Sequence, residues 1–271
     1  MLKNLSLIAL LGIAAVGVPS ELCAKSVKVA GTQKGAAAKS ITRQVAQQNV
    51  TIEFYSPSIV RILKSDAGLA APVQKKSYSV ILKPQQLKDV QIQENGDIVN
   101  IKSNFICVEL NQQTGEIRFL SKDGKLLLTD TKTRLEARKD EANKGKYRIE
   151  QDFRLADDEA IYGLGQLRDV YMNQRGRQNI ELWNHNTYIA IPYFTSEKGY
   201  GLYWDNAGKT YFNDIVASKE NVASKEDHRQ SSRTSFTSEV GTCADYYFMY
   251  KDGTQDGVIA SIRELTGQAT M

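Results

Sequence analysis

The feature that most constrains this chain is a short run of alternating apolar and polar residues, closed by a tight-turn pair and repeated along most of its length. In VQIQENGDIVNIKS, Asn95-Gly96 separates two such runs as a hairpin turn, and FICVELNQQTGEIRFLSKDGKLLLTD adds Thr114-Gly115 and Asp123-Gly124. Val50, Ile52 and Phe54 alternate in VTIEFYSPSIVRIL, Ser56-Pro57 breaks the run, and Ile59 to Leu63 resumes it. SYSVILKP puts Tyr78, Val80 and Leu82 on one face. YRIEQDFRL, AIYGLGQL, TYIAIPYF, YGLYWDN, TYFNDIV, RTSFTSEV and ADYYFMY read as further strands. A period of two gives each strand one face to bury, and many short antiparallel strands satisfy that by stacking two sheets. One segment has helical spacing instead: Val258, Ile259, Ile262 and Leu265 form a stripe that Gly267 ends. The pattern predicts an all-β sandwich with a short C-terminal helix.

The first residues follow a different logic. Lys3 precedes an apolar run from Leu5 to Val18, short for a bilayer span and the right size for the core of a signal peptide. Residues 1–24 are therefore expected to be a signal peptide cleaved after Ala24, and the protein to be exported to the periplasm or the extracellular space. Lipidation at Cys23 is the lesser alternative, because Ser20, Glu21 and Leu22 make a poor lipobox. Residues 25–48, polar, small and basic, carry no apolar period and are expected to be a flexible leader. Residues 49–271 hold the strands and the helix, with no boundary that would divide them.

Several function classes lose support here. The net charge of +4 comes from 35 basic and 31 acidic residues spread without a basic block, so no nucleic-acid partner is expected. The two histidines, His185 and His228, fall in no metal-ligand pattern, and no metal or cofactor is expected. Cys107 lies in a strand as a small core residue, and with Cys243 is expected to remain a thiol rather than to bridge. Gly163 and Gly165 lack the third glycine and the helix of a dinucleotide fingerprint, so they mark a strand closely approached by another segment. No Gly-x-Ser-x-Gly elbow anchors a nucleophile. The trio Asp157, Asp158 and Glu159 reads as a solvated turn rather than the paired carboxyl groups of a glycosidase.

The stretch ELWNHNTYIAIPYFTSEKGYGLYWDN, residues 181–206, carries seven aromatic residues, although aromatics make up 8% of the whole chain. Either these rings pack a core, or some of them form a ligand surface beside Asn184, His185 and Asn186. Tyr200, Tyr203 and Trp204 alternate as strand residues and are assigned to packing, with Tyr203 opposite Trp204. The four residues Trp183, Asn184, His185 and Asn186 are the candidate ligand loop.

EAIYGLGQLRDVYMNQRGRQNIELWNHNTYIAIPYFTSEKGYGLYWDN resembles the N-terminal domain of glycoside hydrolase family 31. That domain has a Tyr-Gly-Leu-Gly-Glu/Gln strand, a glycine-containing loop, a Trp-Asn-x-Asp motif, a Pro-Phe/Tyr strand and a Gly-Tyr-Gly strand. The matching segments are Tyr162 to Gln166, Arg175-Gly176, Trp183 to Asn186, Pro192-Tyr193 and Gly199 to Gly201. ADYYFMYKDGTQDGVIASIRELTGQATM resembles the end of the same domain. The resemblance covers roughly residues 50 to 271 and is strongest to secreted bacterial α-xylosidases, with α-glucosidases next.

The resemblance implies a galactose-mutarotase-like β-sandwich followed, in the same polypeptide, by a (β/α)8 barrel that carries the catalytic aspartates. Such a barrel takes about 250 residues. The leader and sandwich already account for this chain, so it is expected to be the N-terminal part of a longer retaining exo-α-glycosidase, with no catalytic residue of its own. The partners implied are that barrel and an α-linked oligosaccharide. In the family the aspartate of Trp-Asn-x-Asp helps to bind the sugar; here Asn186 stands at that position, and His185, Asn184 and Trp183 accompany it. Gln166, in place of the commoner glutamate, is expected to be buried and structural. A free-standing carbohydrate-binding module is the alternative. A mutarotase-like epimerase ranks last, since it needs a converging acid and base and the chain has two histidines in loop-like contexts.

Overall fold

The computed structural model describes residues 40–268 except 70–72, 74, 86, 170 and 217–231. The expected signal peptide, most of the leader, and His228 lie outside the described residues. Two antiparallel sheets form a sandwich. The seven-stranded sheet runs in the order β1 (Ser40–Val45), β2 (Gln48–Ser56), β3 (Ile59–Asp66), β16 (Ala244–Tyr250), β13 (Tyr200–Trp204), β12 (Ile189–Ser196), β10 (Ile161–Gln166). The nine-stranded sheet runs β11 (Ile180–Leu182), β14 (Thr210–Ile215), β15 (Arg233–Gly241), β9 (Tyr147–Arg154), β8 (Leu126–Ala137), β7 (Ile117–Ser121), β6 (Ile106–Asn111), β5 (Ile98–Lys102), β4 (Gln91–Asn95). From β4 to β9 neighbours in sequence are neighbours in space, the meander that the turn pairs predict. Gly96 closes the β4–β5 hairpin with φ 56°, a left-handed conformation that costs glycine nothing.

Period-two alternation sends one set of side chains from each sheet into a shared core. Phe54, Ile62, Trp204, Tyr246 and Phe248 come from one sheet, and Val108, Phe119, Phe153, Phe212 and Phe236 from the other. Phe119 stacks on Phe248 at 4.3 Å between ring centroids, and Trp204 on Phe236 at 5.5 Å, so rings of the two sheets interlock. Tyr200 and Trp204 are buried here, while Tyr203 points to the opposite face and packs with Tyr55, Ile59, Tyr247 and Met249. Cys107 and Cys243 are both buried. One ion pair crosses the core: Lys64 Nζ on β3 lies 2.7 Å from the Asp130 carboxylate on β8, which also accepts from Gln151 Nε2 at 2.8 Å and from the Tyr246 hydroxyl.

The helix α1 (Gln255–Thr266) packs on the outer face of the seven-stranded sheet. Thr254 caps its start by accepting from Gly257 N at 3.0 Å, and Gly267 ends it. Val258, Ser261 and Leu265 are buried, whereas Ile259, expected in the stripe, is exposed. A rotation of about 100° per residue carries it off the buried face.

Two sequence expectations need correction. The leader was expected over residues 25–48, yet Ser40–Val45 is strand β1, paired with β2, and Gln48 already belongs to β2. Only Ile41 and Val45 are apolar there, too few to reveal a period, but both are buried by the neighbouring strands. SYSVILKP is not a strand. Val80 and Leu82 do pack on the outer face, but Ile81 N and Leu82 N donate to Leu265 O at 3.0 and 3.2 Å, satisfying a terminal carbonyl of α1 instead of a sheet ladder. Strand β11 is an edge strand of three residues, and the Ile180-Glu181-Leu182 alternation is too short to mark it by itself.

Candidate functional site

The Trp183–Asn186 turn crosses from one sheet to the other, leaving β11 at the edge of the nine-stranded sheet and entering β12 in the seven-stranded one. Its root is shaped by Gly163-Leu164-Gly165, where the pairing of β10 with β12 shifts register as a bulge. At Gly165, with φ 99°, a Cβ would sit 2.0 Å from Ile189 O, so only glycine lets β10 lie this close to the foot of the turn. Asn184 Oδ1 accepts from Ala190 N at 2.7 Å and ties the turn to β12. His185 and Tyr188 face each other, Tyr188 N donates to His185 O at 2.9 Å, and Asn186 occupies the exposed tip with φ 47°. Asparagine tolerates that left-handed backbone better than most residues.

Side chains of the turn form a ladder of rings. Trp183 and His185 stack at 5.5 Å, and His185 and Tyr188 at 4.8 Å with planes 7° apart. Lys209 Nζ lies 3.9 Å from the Trp183 ring centroid, and Tyr211 meets the same ring edge-on at 5.2 Å. The tryptophan is already engaged by three neighbours, so it is a brace for the turn more than a bare stacking surface. Glu181 Oε2 is 3.4 Å from His185 Nε2, and His185 Nδ1 is 3.1 Å from Trp183 O, which fixes the imidazole orientation.

Next to the turn is a groove of about 510 Å³. Its lining includes Trp183 and Asn184 of the turn, Tyr78 and Ser79, Tyr203, Asp205 and Lys209. Of the four candidate residues, Trp183 and Asn184 reach the groove, while His185 and Asn186 stand at the turn tip outside its lining. Tyr78, Ser79, Asp205 and Lys209 were not singled out by sequence. Asp205 follows an aromatic strand and Tyr78 sits in a run that mimics a strand, so neither carries a local signal.

Asp205 belongs to a buried charge cluster on the outer face of the seven-stranded sheet. Arg61 grips Asp245 in a fork, Nε to Oδ1 at 2.8 Å and Nη2 to Oδ2 at 2.7 Å, and Lys75 Nζ reaches Asp245 Oδ2 at 2.9 Å. Lys75 Nζ also donates to Asp205 O and lies 3.5 Å from Asp205 Oδ2. Asp205 Oδ2 is buried and makes no hydrogen bond of normal geometry, its contact with Lys75 being a longer ionic one. Burial raises the Asp205 carboxyl above its ordinary range, and the positive charge of Lys75 opposes that shift.

Two further expectations fail here. Glu159 is no solvated turn residue: it is buried and holds Lys198 Nζ at 2.7 Å, Ser196 Oγ at 2.5 Å and the Tyr200 hydroxyl at 2.5 Å, although Asp157 and Asp158 are exposed. Gln166, expected to be buried, is exposed because β10 is the outermost strand and the bulge turns its end outward. Arg175-Gly176 is anchored instead by buried Asp214, which accepts from Arg175 Nη1 and Gly176 N, each at 2.5 Å. Among the described residues no group of three or more His, Cys, Asp or Glu side chains could hold a metal ion.

The model of the glycosyl hydrolase 31 N-terminal galactose mutarotase-like domain matches residues 49–213. An α-xylosidase of Saccharolobus solfataricus is 30% identical over 237 residues, which cover 84% of this chain and 29% of that protein. Among solved structures, a family 31 α-xylosidase of Xanthomonas citri superposes with a TM-score of 0.72 at 18% identity, over 87% of this chain and 40% of that one. A family 31 dextranase of Flavobacterium johnsoniae, complexed with glucose, gives 0.65 at 22% identity, over 88% and 29%. The chain thus spans well under half the length of each of these relatives. With the family model covering more than half of it and the same two-sheet sandwich in its structural neighbours, this chain belongs to glycoside hydrolase family 31, as an N-terminal galactose-mutarotase-like domain.

Proposed function

We propose that the chain is the N-terminal domain of an exported, retaining exo-α-glycosidase, an α-xylosidase in preference to an α-glucosidase, that acts on α-linked oligo- or polysaccharide. The sandwich supports a C-terminal (β/α)8 barrel and holds the Trp183–Asn186 turn toward the bound sugar. The observation that carries the substrate class is the 30% identity to an α-xylosidase over most of this chain. Two structural features agree with it. Asn186 stands exposed at the tip of a turn braced by three stacked rings, free to present an amide that both donates and accepts. Tyr162, Ile189 and Ile191 are exposed at the β10–β12 end of the seven-stranded sheet, an apolar surface suited to a large neighbour.

The chemistry itself is assigned to the barrel. Retention requires two carboxyl groups about 5 Å apart across the scissile bond. Four buried carboxylates of this domain serve other ends: Asp130 is paired with Lys64, Asp214 with Arg175, Glu159 with Lys198, and Asp245 with Arg61.

The test uses aryl α-xylosides and α-glucosides. Residues 25–271 alone are expected to leave them intact. In the longer parent, Asn186→Ala is expected to lower kcat/KM by about five- to a hundredfold, the value of one hydrogen bond, higher if its partner is left buried. Kinetics identical to the unsubstituted parent would remove the turn from the sugar site.

A further inference from the structure

We propose that the groove between residues 78–79 and the Trp183–Asn184 turn is a binding subsite for a neutral sugar ring, with Tyr78 as its stacking face and Asp205 Oδ2 as the acceptor for a sugar hydroxyl. The ligand class rests on the reading above, but the residues and the place do not: Asn186, the contact invoked there, lies outside this groove.

Three observations carry it. First, Asp205 Oδ2 is buried and makes no hydrogen bond of normal geometry, the Lys75 ammonium standing 3.5 Å away as its counter-charge, and the side chain is 8% exposed. A buried acceptor without a donor is a standing cost that a ligand hydroxyl would relieve. Second, Tyr78 is 92% exposed, an extreme value for an aromatic ring, and pairs with no other ring among the described residues. The other rings of the groove are taken: Trp183 by His185, Tyr211 and Lys209, and Tyr203, which is 7% exposed, by Tyr247. The ring available for stacking is therefore Tyr78, not the tryptophan that the sequence draws attention to.

Third, the segment that carries Tyr78 is held on both sides. Lys75 is pinned to Asp245 and to Asp205 O; Ser77 Oγ accepts from Ser79 N and Val80 N, each at 3.1 Å; Ile81 N and Leu82 N are tied to the end of α1. Such anchoring lowers the ordering cost of binding. The groove volume of about 510 Å³ falls within the usual span of small-molecule sites.

The charges select the ligand. Lys209 lines the groove and Lys75 lies behind it, so a cation meets two ammonium groups; an anion would lie against Asp205. A polyhydroxylated neutral ring suits both signs, donating one hydroxyl proton to Asp205 Oδ2 and accepting from Lys209 Nζ with another oxygen.

The experiment is a titration of the 271-residue chain with methyl α-D-xylopyranoside and methyl α-D-glucopyranoside, read from backbone amide shifts. Saturable shifts at Ser79, Asn206 and Lys209 are expected by about 50 mM ligand, enough to fill a millimolar site. Tyr78→Ala, a surface change that leaves the fold alone, is expected to weaken binding about tenfold. Asp205→Asn should weaken it about three- to tenfold, since a charge-assisted hydrogen bond becomes a neutral one. No saturable shift, or full affinity in Tyr78→Ala, overturns the subsite. Shifts confined to residues 185–188 overturn it too, while leaving the turn-tip reading intact. Groove binding together with unaltered kinetics of Asn186→Ala in the parent would refute that reading and spare this one.

Discussion

Lys64→Met tests a buried charge pair that joins the two sheets. Lys64 is 2% exposed on β3, its ammonium 2.7 Å from Asp130 on β8, and Asp130 is fully buried. Methionine fills nearly the same volume, so the packing loss is small and the effect isolates the charge. Removing one partner of a buried pair strands the other and costs about 3–5 kcal/mol. Asp130 retains two donors, Gln151 Nε2 and the Tyr246 hydroxyl, which places the expectation at the lower end, about 3 kcal/mol. That is a large part of the ~5–15 kcal/mol by which folded domains are stable. With a urea m-value of about 3 kcal/mol/M, the midpoint should fall by about 1 M. Equilibrium unfolding of residues 25–271 followed by tryptophan fluorescence reads this directly, because Trp204 is buried in the core. Lys64→Met combined with Asp130→Asn should recover part of the loss, since no charge is left unpaired: the amide oxygen can keep the Gln151 Nε2 donor at the Oδ1 position, and the amide NH2 at the Oδ2 position can donate to the Tyr246 hydroxyl, which accepts as readily as it donates. A midpoint unchanged in the single variant, or a double variant that simply adds a second loss, would refute the reasoning.

Other outcomes follow from the same structure. Burial pushes the Cys243 thiol up to about 11 and leaves it 1% exposed, so native residues 25–271 should not react with Ellman's reagent at neutral pH, and both Cys107 and Cys243 should react on unfolding. The Asp205 carboxyl has a raised pKa in the fold, so its contribution to stability is present below the unfolded value and is lost as pH rises through the folded one. Asp205→Asn should therefore gain stability relative to the parent as pH rises from acid to neutral. Two parallel pH profiles of the urea midpoint would contradict this. For export, mass spectrometry of protein from its native host should find Lys25 or a close neighbour at the N-terminus, and an intact Met1 would rule processing out.

How much of this was legible in the sequence depends on the distance over which each signal acts. Alternation and turn pairs are local, so the meander from β4 to β9, the aromatic strand β13 and the capped helix α1 could be read from neighbouring residues. Local reading fails where a partner is remote. Strand β1 has two apolar residues and becomes a strand because β2 offers it a ladder; SYSVILKP has the strand period, yet its amides are claimed by the end of α1. Glu159 looked like one of three solvated acids, and only the Ser196, Lys198 and Tyr200 side chains, brought by β12 and β13, turn it into a buried anchor.

The candidate site divides in the same way. The family resemblance drew attention to Trp183, Asn184, His185 and Asn186, and the turn they form does stand at the junction of the two sheets. Their chemistry is set by residues that the motif does not contain. Lys209 and Tyr211, from the strand region beyond β13, occupy the Trp183 ring, and Ala190 N takes up the Asn184 carbonyl oxygen. What is left open to a ligand is an amide at the turn tip and, lining the groove, an exposed tyrosine and a carboxylate oxygen that makes no hydrogen bond. A residue that is large and aromatic attracts notice in sequence because it is costly to expose, but in the folded chain that same cost drives it to find partners. The group with binding capacity to spare is the one whose partners are missing, and such a deficit exists only in three dimensions.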